Sequence, residues 1–521
     1  MKKKLIPVII ILLTINAIFI SAQELPDEDS NTVYVIREIE FNIDGRSKPF
    51  ALMASGDFKE GERIYGKENL DKYLANKKQL LLNQRVLEEA NIGYSLGSSE
   101  ADGALPVKLL VRVKDTFNLV ILPYPKYDSN DGFSMIIKAR DYNFLGTMSA
   151  LRLDLGYNKN GGDHSFSFAL DSDIPFQAAG LEWNINFDHF FEYVLGEPLY
   201  YQNVSGVSVK LPMKSTTLTT GINQYLTVNE ENSSENKDVY GLGDRYYGAY
   251  ASTEIFGSWR VPFGVEVGPF GGLAYTPGVS GKINYPYSKM DEPRRPVTTF
   301  SHSIGFGRID WIGNYRKGLS VSLSNGYNLY FDRSDAPLQV TLNGSATFHW
   351  PFSKYFGISS RLIYRQWWHW SGKKNDWIPY YSAGDVIRGV IDKDMRANYM
   401  LSLNLDFPLR IIRFWPSEWF NNPKLRFFNF EMHASLFFDF ALLKGPYSNL
   451  DYDAKPSGPT KFKFSDIVRT TGLEFLVYPG FFRSFYIRAS IAYNIRREAP
   501  SPKWGFFPQW DEIFIGVDHF Y

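Results

Sequence analysis

Tyr399-Met400-Leu401-Ser402-Leu403-Asn404-Leu405-Asp406-Phe407 sets Tyr399, Leu401, Leu403, Leu405 and Phe407 against Ser402, Asn404 and Asp406. Period-2 alternation gives a strand one apolar and one polar face. The same pattern places Leu151, Leu153, Leu155 and Tyr157 against Arg152, Asp154, Gly156 and Asn158. It returns near the end, where Phe485, Ile487, Ala489, Ile491 and Tyr493 alternate with Arg488, Ser490 and Asn494. In a soluble sandwich the apolar face would meet a second sheet. In a transmembrane barrel it meets lipid while the polar face lines the lumen.

Composition favours the barrel. The 521 residues include 33 Tyr, 41 Phe and 12 Trp, 17% aromatic in all, as girdles at two membrane interfaces require. A mean hydropathy of −0.25 is expected when only every second strand residue faces lipid. The 56 basic and 56 acidic residues cancel, so charge gives no argument for nucleic acid binding. With no cysteine there is no disulfide, no thiolate metal site and no lipid-modified N-terminal cysteine.

The chain opens with Met1-Lys2-Lys3-Lys4, a largely apolar run from Leu5 to Ile20, then Ser21-Ala22-Gln23. This reads as a signal peptide over 1–22, cleaved after Ala22 and followed by a linker at 23–32. The competing reading, a retained anchor, suits a stretch this short less well. Nothing later reaches about 18 consecutive apolar residues, so an exported chain rich in alternating strands is expected to be an outer-membrane barrel.

Residues 33–116 read differently. Val35, Ile39, Phe41 and Ile43 alternate with polar residues up to Gly45, and a helical pattern runs from Lys67 to Ala90 through Leu70, Leu74 and Leu81. A break near Asn83 would make two helices of it. Strands follow at 91–96 and over Val107, Leu109, Val111 and Val113. The order β–α–β–β predicts a small α+β domain. Eighteen candidate strands then run from 117–127 to 510–521. Four long polar connections, 229–238, 279–297, 371–394 and 444–461, all follow odd-numbered strands and so share one end, as outer loops do. The connection 411–424 is long on the other, short-turn side.

Three local features carry a family resemblance. Asp141-Tyr142-Asn143-Phe144-Leu145-Gly146-Thr147 is similar to a D-N-hydrophobic-G turn, Val386-Ile387-Arg388-Gly389-Val390 to a V-R-G-[FY] loop motif, and Leu436-Phe437-Phe438-Asp439-Phe440-Ala441 to an F-x-D strand. Five candidate strands follow the Arg-Gly loop, and Asp439 sits in the second of them. With a small domain ahead of a barrel ending on an aromatic, this order resembles the bacterial surface antigen family of BamA and TamA. The first domain then looks like a single POTRA domain.

That resemblance implies a fold and a set of roles. The fold is mainly β: a C-terminal transmembrane antiparallel β-barrel at 117–521, preceded by one POTRA-like α+β domain at 33–116. The family's sixteen strands, eleven of them before the Arg-Gly loop, conflict with the thirteen candidates found there. Either two candidates between 200 and 278 merge or form an outer hairpin, or the barrel has eighteen. Arg388, followed by Gly389, is expected to enter the lumen and pair with Asp439. A lateral seam between the first and last strands would involve Pro123, Pro125, Gly516 and Tyr521, the two prolines weakening the first strand's ladder unless they precede the barrel proper. Ile92, Tyr94 and Leu96 would form an edge for docking clients.

The implied partners are outer-membrane lipids, unfolded outer-membrane or secreted clients, and periplasmic lipoproteins. No cofactor, no metal, no nucleic acid and no enzymatic activity are expected. Neither G-x-S-x-G nor H-E-x-x-H occurs, and the seven His are scattered. Trp367-Trp368-His369-Trp370 reads as an interface girdle rather than a ligand site. Two functions remain: assisting insertion or translocation of proteins, or acting as a passive pore, adhesin or structural barrel.

Overall fold

The computed structural model describes residues 32–128, 132–160, 163–229, 249–286, 296–331, 338–370, 381–384, 386–390, 396–397, 399–444, 467–495 and 512–517. The expected signal peptide at 1–22, the expected linker as far as residue 31 and Tyr521 lie outside the described residues, as do most of the long connections.

The N-terminal domain comprises β1 (Val33–Asp44), α1 (Pro49–Ser55), β2 (Arg63–Tyr65), α2 (Lys67–Asn83), β3 (Leu87–Leu96) and β4 (Leu105–Asp115). Its sheet runs β2-β1-β4-β3, with β1 and β4 parallel and β3 at an edge. Leu52 of α1 and Leu70 and Leu81 of α2 are fully buried against Ile36, Val107, Leu109 and Val111 of the sheet.

The helical pattern expected as far as Ala90 ends at Asn83 instead. Arg85 adopts a positive φ of 56°, and Leu87 and Ala90 then join β3 opposite Asp115 and Val113. Their apolar spacing suits either element, and pairing with β4 decides it. The second helix is therefore not a broken half of this segment but α1, whose 7 residues make fewer than two turns and show no periodicity.

Eighteen antiparallel strands close into a barrel. The first nine are β5 (Leu119–Asp128), β6 (Gly132–Asp141), β7 (Leu151–Asn160), β8 (Asp163–Ala178), β9 (Leu181–Val194), β10 (Tyr200–Met213), β11 (Thr216–Val228), β12 (Ala249–Glu266) and β13 (Gly272–Pro286). Next come β14 (Val297–Ile312), β15 (Tyr315–Tyr330), β16 (Leu338–Pro351) and β17 (Gly357–Trp370). A two-strand hairpin, β18 (Tyr381–Ser382) with β19 (Arg396–Ala397), lies in the long connection that follows. The last five are β20 (Tyr399–Phe414), β21 (Phe430–Lys444), β22 (Val468–Pro479), β23 (Ile487–Asn494) and β24 (Glu512–Val517).

The count of eighteen corrects the sixteen implied by resemblance. Between 200 and 278 no strands merge: β10 and β11 stay in register from Tyr201↔Val228 to Met213↔Thr216, and β12 and β13 each pair on both sides. Prolines 123 and 125 lie inside β5, opposite Ile137 and Met135 of β6, and so belong to the barrel proper.

Strand β21 displays the transverse order of the wall. Glu431, His433, Ser435, Phe437 and Asp439 are buried on the inner side, while Leu436 between them is 47% exposed on the outer side. A polar interior and an apolar exterior invert the order of a soluble protein and match a lipid-facing barrel. Among the described residues no helix is long and apolar enough to cross a membrane.

The N-terminal domain sits on the short-turn end and is bonded to several points of its rim. Asn143, in the turn after β6, donates to Ser47 Oγ (2.9 Å) and Asp115 Oδ2 (3.1 Å), and Arg46 pairs with Asp141 at 3.0 Å. Gly146 in that turn has φ +76° and accepts from the Lys48 amide, and a Cβ there would lie 2.0 Å from the Arg46 carbonyl oxygen. At the turn between β14 and β15, Asn83 donates to Asp310 Oδ1 (2.8 Å) and accepts from the Trp311 amide (3.0 Å). Arg85 stacks on Trp311 at 4.2 Å and bonds Gly313 and the Arg483 carbonyl; burial pushes its pKa down to about 10. Arg483, in the turn between β22 and β23, donates to the Leu87 and Glu88 carbonyls. The turn at 141–147 is thus one of several joints between domain and barrel, beside those at the β14–β15 and β22–β23 turns.

Candidate functional site

Arg388 enters from the long connection and is 1% exposed. Its Nε and Nη2 meet Asp439 Oδ2 and Oδ1 at 2.9 and 2.8 Å, a bidentate pair, and its own amide donates to the same carboxylate at 2.9 Å. Nη1 meets Asp406 Oδ1 at 2.8 Å and Glu474 Oε2 at 3.4 Å. Arg488 Nε in turn donates to Glu474 Oε2 at 2.7 Å. The guanidinium of Arg388 lies 3.7 Å from the centre of the Phe437 ring. Four consecutive strands, β20 to β23, therefore each contribute one charged side chain to a single level of the lumen.

Removing each such ion from water costs several kcal/mol, and attraction offsets this only when the geometry is good and the remaining polar atoms are bonded. The bidentate fork and the amide bond to Asp439 meet that condition. A buried ion pair still contributes little net stability; what these bonds supply is a fixed position for Arg388 against β20, β21 and β22. The apolar contacts hold the loop in place. Ala383, Val386, Ile387 and Val390 pack against Ile363, Met400, Ala441, Leu443 and Val468 of the wall. Gly389 has φ +81°, and a Cβ there would meet Thr470 and Ala492 at 3.2–3.3 Å. Asn404 on β20 donates to the Val386 carbonyl at 2.8 Å, satisfying a backbone group on the way in.

Below this level lies a polar cavity lined by Tyr315, Arg316, Ser359, His433 and Tyr478. His433 bonds Glu431 at 2.7 Å and stacks on Tyr315 at 4.7 Å. His349 Nδ1 meets Ser359 Oγ at 2.7 Å, but its Nε2 has no partner among the described residues. A Ser-His-acid relay requires a carboxylate on the second ring nitrogen. Among the described residues no group of three His, Asp or Glu is placed to hold a metal ion. The side chains of Trp368, His369 and Trp370 lie outside the described residues.

No protein-family model matches the chain, and no curated protein does. Among solved structures the chain is similar to BamA from Haemophilus ducreyi lacking POTRA domains 1–3. The identity is 14% and the TM-score 0.41, covering 93% of this chain and 83% of that one. It is similar also to CdiB from Acinetobacter baumannii, at 13% identity and TM-score 0.47 over 93% and 74% of the two chains. For CdiB from Escherichia coli the figures are 12%, 0.47, 93% and 76%.

At the seam, a single described residue pair, Ile515↔Tyr127, joins β24 to β5. Strand β5 pairs with β6 along its whole length, from Leu119↔Asp141 to Asp128↔Gly132, despite Pro123 and Pro125. Gly516 pairs with Arg488 of β23. On the domain, Ile92 and Tyr94 turn their side chains to the core and Leu96 is 48% exposed, so what β3 presents is its main-chain edge.

The sequence does not single out Asp406 and Glu474 as partners of Arg388, nor Arg488 as the partner of Glu474. Asp406 stands on the polar face of the alternating run Tyr399–Phe407, and Glu474 alternates inward in the same way. Period alone cannot rank one lumen carboxylate above another.

Proposed function

We propose that this chain is an outer-membrane barrel that assists insertion or translocation of protein clients by opening at the seam between β24 and β5. The observation that carries this reading is the seam itself: one described residue pair there, against ladders of several pairs at the seventeen other strand neighbours in the wall, such as β14 with β15 from Val297↔Tyr330 to Ile312↔Tyr315. A weakly paired strand edge templates an incoming strand through main-chain hydrogen bonds. The apolar exterior supports residence in the lipid of an outer membrane, with the domain on the periplasmic side. The free edge of β3 offers a second place for an extended unfolded outer-membrane or secreted client, or for a periplasmic lipoprotein. A passive pore, adhesin or structural barrel fits less well with a loop anchored in the lumen by a buried ion cluster and a domain bonded across the rim.

The chain has no cysteine, so Tyr127→Cys with Ile515→Cys places the only two thiols at facing positions within disulfide reach. The measurement is the rate at which a test outer-membrane barrel folds into vesicles that hold this protein. The reduced variant should accelerate folding, the oxidised one should not, and reductant should restore the effect. Equal rates for the oxidised and reduced forms, or no acceleration by the parent chain, would sink the proposal. Heat-modifiable gel migration checks that both forms are folded.

A further inference from the structure

The connection between β20 and β21 is long on the end where other turns are short, and it has its own structure. A helical turn, α3 (Pro416–Trp419), is followed by a 3-10 turn at Pro423–Phe428. Asn429, 5% exposed, ties the two ends together: its Nδ2 donates to Ser417 Oγ at 2.6 Å and its Oδ1 accepts from the Ser417 amide at 3.2 Å. A segment clasped in this way presents a fixed surface.

That surface is aromatic and open. Trp419 is 58% exposed, Phe420 71%, Phe427 62% and Phe428 59%. It is continuous with the lipid-facing wall. After the bulge at Arg410/Ile412, Phe414 pairs with Phe430 on the outward side of β21, the two rings 5.4 Å apart. Trp419 meets Phe414 edge-on at 5.0 Å. Basic side chains flank the rings: Lys424 is exposed, and Arg413 stacks on Trp415 at 4.6 Å. An amphipathic Trp beside apolar Phe rings, bordered by Lys and Arg, suits the boundary between headgroups and acyl chains. A second line of rings runs from Phe427 to Phe481 (6.0 Å) and on to Phe117 (5.2 Å), two residues before β5.

We infer that this connection is a membrane foot: Trp419, Phe420, Phe427 and Phe428 seat in the periplasmic leaflet of phospholipid, beside the base of the strand that borders the seam. The inference requires only that the barrel span a bilayer, and it stands or falls separately from activity at the seam.

A nitroxide at Phe420→Cys, the only thiol in the chain, reads the surroundings directly. In phospholipid vesicles its collisions with oxygen should exceed, and those with a water-soluble nickel chelate fall several-fold below, those of a label at Lys59→Cys, whose side chain is 68% exposed on the domain. It should approach a label at Leu436→Cys on the outer wall. Accessibility equal to that at Lys59 would overturn the inference. So would a label open to water in vesicles and shielded only in native membranes, since a protein partner would then cover the surface. Phe428→Cys repeats the measurement if Phe420→Cys fails to fold by gel migration.

Discussion

From β20 to β23 the wall is paired strand to strand, and its inner side chains are buried beneath the loop that carries Arg388. One strand further on, β24 meets β5 through Ile515 and Tyr127. The described partners of Arg388 lie on the first side of this divide: Asp406 on β20, Asp439 on β21 and Glu474 on β22, with Arg488 on β23 bonded in turn to Glu474. A Cβ at Gly389 would meet Thr470 and Ala492, again on β22 and β23. The contacts described for the loop thus hold the strands on one side of the seam, from β20 to β23. Stiffness next to a weak joint concentrates any opening at that joint, whereas a uniformly stiff wall would have no preferred place to part.

Removing the clamp tests this contrast most severely. Arg388→Ala leaves three carboxylates facing one another in the lumen, and breaking a buried pair from one side costs about 3–5 kcal/mol. Asp439→Ala should cost a similar amount. In planar bilayers the parent chain should give a small, flickering current that both substitutions change alike. A large steady current indifferent to both would break the comparison, because the loop would then not restrain the wall.

Gly389→Ala is a milder perturbation of the same side. A side chain at φ +81° costs about 1–2 kcal/mol, and its Cβ would press on Thr470 and Ala492. The urea midpoint should fall, and amide exchange in β22 and β23 should quicken while exchange in β24 stays as fast as before. Quickening in β24 instead would mean that clamp and seam are one unit.

The smallest effect is expected at the rim. Glu88 bonds Arg426 and Lys114. Burial raises its carboxyl pKa, but those two bonds more than offset this and hold it below the ordinary 4.5. A depressed carboxyl contributes stability that is present above the ordinary value and is lost as pH falls through the lowered one. For a half-exposed pair this amounts to less than about 1 kcal/mol, and salt should screen it. Protection of the amides at residues 85–90, taken relative to their intrinsic exchange rates, should therefore fall below pH 4.5, and Glu88→Gln should flatten that dependence. If β24 quickens over the same pH range, the docked domain also braces the seam.

The alternation of Tyr399–Phe407 was legible because lipid outside and ions inside impose opposite demands on successive residues. The candidate strands match the barrel's eighteen in number, although the turn after β12 falls at 267–271 and strand β13 runs on to Pro286, through the first part of the connection expected at 279–297; the smaller number came from resemblance rather than from the residues. Arg388 and Asp439 were named because motif order places them together. Glu474 was not, since one inward carboxylate reads like any other until the fold selects it. The helix end at Asn83 was hidden because Leu87 and Ala90 satisfy helical and strand spacing equally. The rim bonds of Asn83, Arg85 and Asn143 carry no local signal, because their partners lie in turns far along the chain.

The seam also joins nearly the whole length of the barrel chain, from Tyr127 to Ile515. The contacts of Arg388 span only 18, 51 and 86 positions. Loop-closure entropy grows with the length enclosed, and contacts distant in sequence form late. The clamped wall can therefore assemble around its loop while the two ends of the sheet are still apart. Closure at Ile515 and Tyr127 is then expected last, at the barrel neighbours with the fewest described residue pairs.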